Sequence, residues 1–145
     1  MTPHVNQIEF HPYCQPNELI EACRKSGTFV QGYCPLAKGQ IITGDRLRAP
    51  IQAVADKHVG KNVAQVAIRW CLQREIGCIP KSTNVSRVKE NVDVFDFELS
   101  AGDMEAIDAL VDVTYVKSTW EPKELSSYRG HISRDVNRFQ VEEID

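Results

Sequence analysis

Residues 4–36, "HVNQIEFHPYCQPNELIEACRKSGTFVQGYCPL", decide the fold, because their hydrophobic period changes twice within one short stretch. "HVNQIEF" (His4 to Phe10) has the β-rich pattern of a strand and is stopped by "HPYCQP", whose two prolines and polar residues signal a loop. "NELIEACRKSG" then places Leu19, Ile20 and Cys23 on one helical face, with Asn17 as N-cap and Gly27 as the stop. "TFVQGYCPL" returns to strand character and ends at Pro35. Strand, helix and strand in that order predict a βαβ unit, since parallel neighbours need a crossover connection.

Working outward, "AKGQIITGDRLRAP" reads as a loop rich in glycine and charge, and a helical stretch runs from Pro50 to about Glu75, split by Gly60 and Asn62. Ile51, Val54 and Ala55 form the first apolar face, and Val63, Val66, Ala67, Trp70 and Cys71 the second. "IGCIP" is a short apolar strand closed by Pro80. "SAGDMEAIDALV" is a further helix, with Ser100 as N-cap, Asp103 as a short-armed capping-box partner, and Met104, Ile107 and Leu110 facing inward. The stretch from Val116 to Asp145 is polar and without a sustained period, so it reads as an irregular tail with isolated aromatics Trp120, Tyr128 and Phe139.

Composition excludes several classes of partner. With Lys+Arg 17 against Asp+Glu 20 in 145 residues, and no dense basic run, the electrostatic footprint of a nucleic-acid or anionic-membrane binder is missing. The N-terminal "MTPHVNQIEF" has neither a basic n-region nor an apolar h-region, and no segment is an uncharged bilayer-length run, so a cytoplasmic location is expected. Five cysteines (Cys14, Cys23, Cys34, Cys71, Cys78) are odd in number and form no CxxC pair, so reduced, mostly buried thiols are expected and no metal site.

The chemistry concentrates in "IPKSTNVSRVKEN" (Ile79 to Asn91), directly after a strand, where ligands of parallel α/β folds gather. Ser82, Thr83 and Asn84 are all good N-cap residues; the cap is placed at Asn84 with Val85 to Asn91 as helix. The helix start offers unpaired N–H groups, and Lys81 and Arg87 add two full charges, so the natural occupant is an anion. Glu90 and Asn91 share the face of Arg87 and are placed to hydrogen-bond a heterocycle beside that anion. A plain capped helix with an exposed Arg87–Glu90 pair would account for the same residues.

Taken in order, "VNQIEFHPYCQPNELIEACRKSG", "VQGYCPLAKG", "IPKSTNVSRVKEN" and "FDFELSAGDMEAIDAL" resemble the successive C-terminal signatures of the aldo-keto reductase family, over about residues 3–110. The resemblance implies an α/β fold that is part of a (β/α)8 TIM-type barrel, entered at its sixth strand: about three βα units, a C-terminal helix and a tail. Residues 1–112 would be the barrel part and 113–145 the tail. It implies NADPH-dependent reduction of aldehydes and ketones by hydride transfer. By that resemblance Gln7 would bond the nicotinamide carboxamide, Tyr33 would stack on the nicotinamide, and Cys34 and Leu36 would lie along the pyrophosphate. Cys34 stands where the family has serine, and sulfur is a weak donor. Lys81, Ser82, Asn84 and Arg87, with Thr83 beside them, match the holders of the 2′-phosphate, while Glu90 and Asn91 match the adenine contacts. NADPH is thereby favoured over NADH, which lacks that phosphate.

The family's catalytic tyrosine, lysine, aspartate and histidine belong to the first four strands, which match nothing in this chain. His11 matches a structural position, so no catalytic residue is assigned. The isolated chain is expected to be inactive, with a small carbonyl substrate bound only in a completed barrel. An open partial barrel leaves two sheet edges, which implies pairing with another copy or an N-terminal partner, a rearrangement, or a truncated gene product, the last ranked first because "MTPHVNQIEF" begins at a strand boundary. The second class of function is a non-catalytic NADP(H)-binding or partner-docking module.

Overall fold

The computed structural model describes residues 1–111; the tail lies outside the described residues, with Trp120, Tyr128 and Phe139. Strands β1 (Val5–Glu9) and β2 (Phe29–Tyr33) pair in parallel with Val5 opposite Phe29 and Glu9 opposite Tyr33. β3 (Gly77–Cys78) adds to the other side of β2, Gln31 facing Gly77, giving the order β1-β2-β3. The sheet is parallel and unclosed, as the strand–helix alternation requires.

Helix α1 (Asn17–Lys25) connects β1 to β2 and buries Ile20 and Cys23. Its start corrects the sequence reading. The cap is Pro16, whose carbonyl accepts from the Ile20 amide at 3.0 Å, and Asn17 is the first helical residue. Arg74 takes the Asn17 Oδ1 at 2.7 Å instead, so that oxygen ties two helices together rather than capping one. The stop is as expected. Gly27 has φ +71°, and the Thr28 and Gly27 amides donate to the carbonyls of Cys23 and Arg24, the double bond of a Schellman ending.

The segment read as a glycine-rich loop is helical. After a 3-10 turn at Ala37–Gly39 come α2 (Gln40–Thr43) and α3 (Asp45–Ala55), which carries Pro50 inside it. A proline there removes one backbone bond. The helix persists because Leu47, Ile51 and Val54 recur on one turn-spaced face and all go into the core. Tyr13 donates its hydroxyl to the Leu47 carbonyl at 2.6 Å, a tertiary bond that ties the loop after β1 to α3.

α4 (Val63–Gln73) is the central element. Asn62 and Gln65 form a capping box at its start, and Val63, Gln65, Val66, Ala67, Ile68, Trp70 and Cys71 are all buried. Trp70 stacks on Phe10 with centroids 4.9 Å apart, and its Nε1 donates to Asp108 at 2.8 Å. Gly32 has to be glycine for this packing, since a Cβ there would stand 3.0 Å from the Phe10 Cβ and 3.3 Å from Ile76. α5 (Val85–Val92) and α6 (Ala101–Asp108) follow, capped by Asn84 and by the Ser100–Asp103 box that the sequence predicts.

α6 is fastened to the turn after α3. Asp103 accepts from Lys57 at 2.7 Å, pairs with His58 at 3.2 Å, and accepts from the Ser100 hydroxyl at 2.7 Å. Burial works against this carboxylate's charge, but those donors outweigh it and hold the group well below the usual carboxylate range. All five cysteines are free thiols; Cys23 and Cys71 are buried, whereas Cys14, Cys34 and Cys78 are only half-buried, fewer buried than the sequence leads one to expect. Among the described residues no helix is long and apolar enough to cross a membrane.

Candidate functional site

Alternation along the strands sorts the site residues by face. Asn6, Ile8, Phe10, Val30 and Gly32 look towards the helices; Val30 and Phe10 are buried, and Asn6 donates to the Cys23 sulfur at 3.4 Å. Gln7, Glu9, Gln31, Tyr33 and Ile79 therefore share the other face, which is exposed at Gln7 and buried at Glu9, its carboxyl end. Gln7 Nε2 donates to Gln31 Oε1 at 2.7 Å, a direct consequence of the register that sets the two residues opposite each other. Sequence reasoning named Gln7 and missed Gln31. The usable signal was the identical third position of "VNQIE" and "FVQGY".

At the carboxyl end of the same face Tyr33 is half-buried, and Cys34, at φ +52°, turns the chain into the segment that carries half-buried Leu36. Burial and the nearby charge of Glu9 push the Cys34 thiol up from its ordinary value, so it remains a neutral thiol at this strand end. Glu9 is itself buried, with His11 Nε2 3.4 Å from its carboxylate. The His11 Nδ1 accepts from the Tyr13 amide at 3.3 Å, so Nε2 carries the proton. Burial lowers the His11 pKa more than Glu9 raises it. A fully buried imidazole, held at both nitrogens inside a tight turn, packs as the sequence reading assigned it.

The second cluster forms where β3 leads into α5. Asn84 accepts from the amides of Ser86 at 2.8 Å and Arg87 at 3.3 Å, and the Ser82 hydroxyl accepts from the Asn84 amide at 3.1 Å. This corrects the expected source of the anion's donors. The cap itself consumes two of the helix-start N–H groups, so the free positive charge comes from Lys81 and Arg87, both exposed. Neither has an ion-pair partner among the described residues. The exposed Arg87–Glu90 pair does not form either: Glu90 accepts from Asn62 Nδ2 at 3.0 Å and from the Ser86 hydroxyl at 3.1 Å. Lys81 and Arg87, unpaired among the described residues, flank the Ser82-Thr83-Asn84 turn in sequence, a residue set that can hold a phosphate dianion; Glu90 is turned to the start of α4 and Asn91 is half-buried. Among the described residues no hydrogen bond joins this cluster to Gln7 or Tyr33.

Parallel βα units with polar residues gathered at the carboxyl strand ends define a segment of an α/β barrel. The comparisons with known proteins agree. The profile of the Aldo/keto reductase family matches residues 1–112. Over 108 residues the chain is 45% identical to glyoxal reductase of Bacillus subtilis (strain 168), covering 74% of this chain and 37% of that protein. It is 42% identical over 114 residues to aldo-keto reductase family 1 member A1 of Bos taurus, covering 74% and 35%. Among solved structures, a variant of Gox0644 in complex with NADPH superposes with a TM-score of 0.70 at 41% identity, covering 77% of this chain and 39% of that one. The chain belongs to the aldo/keto reductase family. It spans less than half the length of the relatives it matches.

Proposed function

We propose that this chain is the cofactor-binding part of an NADP(H)-dependent oxidoreductase that interconverts aldehydes or ketones with alcohols. Residues 1–112 would form that part, with 113–145 following it. The observation that carries the reading is the junction of β3 and α5, where Lys81 and Arg87 stand exposed, with no ion-pair partner among the described residues, beside an Asn84-capped helix start. Unpaired cations at a strand's carboxyl end fit the 2′-phosphate that separates NADPH from NADH. A relative solved with NADPH, at 41% identity, supports the same cofactor.

The remaining residues take the parts that the family resemblance implies. Gln7, oriented by its bond to Gln31, offers an amide to the carboxamide of the nicotinamide, and Tyr33 offers a ring face at the neighbouring strand end. Cys34 and Leu36, in the half-buried turn that follows Tyr33, would lie along the pyrophosphate. Ser82 and Thr83 add hydroxyls to the phosphate, and Glu90 and Asn91 border the adenine. Bound NADPH supplies the hydride. These residues hold and orient it, while the proton that the carbonyl oxygen requires has to come from a general acid within hydrogen-bond reach. The acid in this family lies in strands that this chain does not contain, so the lone chain binds the cofactor without reducing a carbonyl.

Titration with NADPH and, separately, NADH, read by tryptophan fluorescence after circular dichroism has shown a folded chain, tests the reading. NADPH is expected to bind at least about tenfold more tightly, an advantage of about 1.4 kcal/mol that Arg87→Ala or Lys81→Ala removes. Equal affinities, or no binding by a folded chain, would contradict it.

A further inference from the structure

Two of the five cysteines meet at the end of α4. Cys71 lies on that helix with none of its surface exposed, and Cys78 is half-buried in β3. Only six residues separate them, and the chain folds tightly back in between. The Ile76 amide donates to the Cys71 carbonyl at 3.0 Å and the Glu75 amide to the Leu72 carbonyl at 2.9 Å, with Glu75 at φ +59°, the same left-handed helix ending that closes α1. β3 therefore starts beside the turn that carries Cys71. Cys78 stands in register with Gly32, on the sheet face that looks towards the helices, and its sulfur lies 4.0 Å from the Ile68 carbonyl. Ile68 and Cys71 are three residues apart and share a face of α4, so the Cys78 sulfur comes over the Cys71 side chain, whose S–H donates to it.

The two thiols differ in the way a reactive pair requires. The bond from Cys71 lowers the Cys78 thiol from its ordinary value, against the opposing effect of burial, whereas burial first and Cys78 second push the Cys71 thiol well up. Thiolate is the nucleophilic form, so Cys78, the partly exposed member, meets a small oxidant first. Cys71, shut in the core, reacts only once its neighbour has. Cys34 gives the contrast within the same chain: it is also half-buried, but its thiol is pushed up.

From this geometry we infer that Cys78 and Cys71 are an oxidative modification site, a pair that a hydroperoxide converts into an intramolecular disulfide between β3 and α4. The Cys78 sulfur attacks one peroxide oxygen, the O–O bond breaks, and the departing oxygen takes up the thiol proton and leaves as water, so that Cys78 becomes a sulfenic acid. The Cys71 sulfur then displaces that hydroxyl: the S–S bond forms, the S–O bond breaks, and the Cys71 proton leaves with the hydroxyl as a second water. The two thiols together lose two electrons, and the peroxide gains them. The site lies apart from cofactor binding, so it stands or falls separately from the NADPH reading.

The test is brief exposure of the reduced, folded chain to hydrogen peroxide, followed by blocking of the remaining thiols and tryptic mass spectrometry. Trypsin cuts after Arg69, Arg74 and Lys81, so the disulfide joins the peptides 70–74 and 75–81, and dithiothreitol separates them. That linked pair is expected to be the first disulfide to appear. In Cys71→Ala the link is lost and Cys78 should stop at a sulfenic acid that dimedone traps; in Cys78→Ser the link is lost and Cys71 should stay a thiol. Circular dichroism shows whether each variant folds, and the wild-type readings decide the matter if one does not. Recovery of both cysteines as thiols after peroxide would overturn the inference. So would a link that forms as fast in urea as in the folded chain, or oxidation of Cys71 in a folded Cys78→Ser variant.

Discussion

α4 and α5 begin alike and end up opposite. Each is capped by an asparagine that accepts from backbone amides of the first turn, Asn62 from Gln65 and Asn84 from Ser86 and Arg87. Yet seven of the eleven residues of α4 are buried, and none of the eight of α5. Local capping starts a helix; what it packs against decides whether the helix supports the fold or waits for a contact. α4 is the beam on which Phe10, Val30 and Ile76 are assembled, whereas α5 is tied to the start of α4 only on its polar side, through Asn62 and Glu90, and leaves its valines exposed.

That contrast can be broken or sharpened by substitution. Trp70→Ala should have the largest effect, about 3–5 kcal/mol in chemical denaturation, because it removes the ring stacked on Phe10 and leaves Asp108 without an indole donor. Asp103→Ala should cost about 2–3 kcal/mol, since the Ser100 amide and hydroxyl, Lys57 and His58 all lose their acceptor. Asn62→Ala should cost about 1 kcal/mol of global stability. The matching Asn84→Ala should leave the denaturation midpoint within error and instead speed amide exchange in residues 85–92, since α5 can fray without opening the core. If Asn84→Ala lowered the midpoint as much as Asn62→Ala, the two helices would not differ as described.

The smallest effect expected is on pH dependence. His11 is buried neutral, so its folded pKa lies below the ordinary imidazole value of about 6.5. Between those two values the unfolded chain binds more protons than the folded one. Its contribution to stability is therefore complete above pH of about 6.5 and is lost as pH falls through the folded value. Melting temperatures measured downward from pH 7 should drop more for the wild type than for His11→Gln; a parallel decline would contradict the assignment.

Much of this fold is legible in the sequence. The period changes in residues 4–36 yield β1, α1 and β2, and the caps at Asn84 and Ser100 follow from side-chain chemistry alone. Pro50 misled, because a proline normally ends or begins a helix, while here burial of Leu47, Ile51 and Val54 carries α3 through it. Asn17 and Glu90 were assigned local partners and found distant ones, Arg74 and Asn62. Such long-range bonds depend on which helices come to lie together, and spacing along one element does not encode that. Gln31 was overlooked for the same reason, since only the β1–β2 register makes it the neighbour of Gln7.

The central claim is that the start of α5 holds the phosphate that distinguishes NADPH from NADH, and amide hydrogen exchange across residues 81–92 tests it most directly. The account expects exchange of these unburied amides to slow on adding NADPH, much less on adding an equal concentration of NADH, and not at all in Arg87→Ala. Equal slowing by both cofactors, or no change with either in a folded chain, would contradict it.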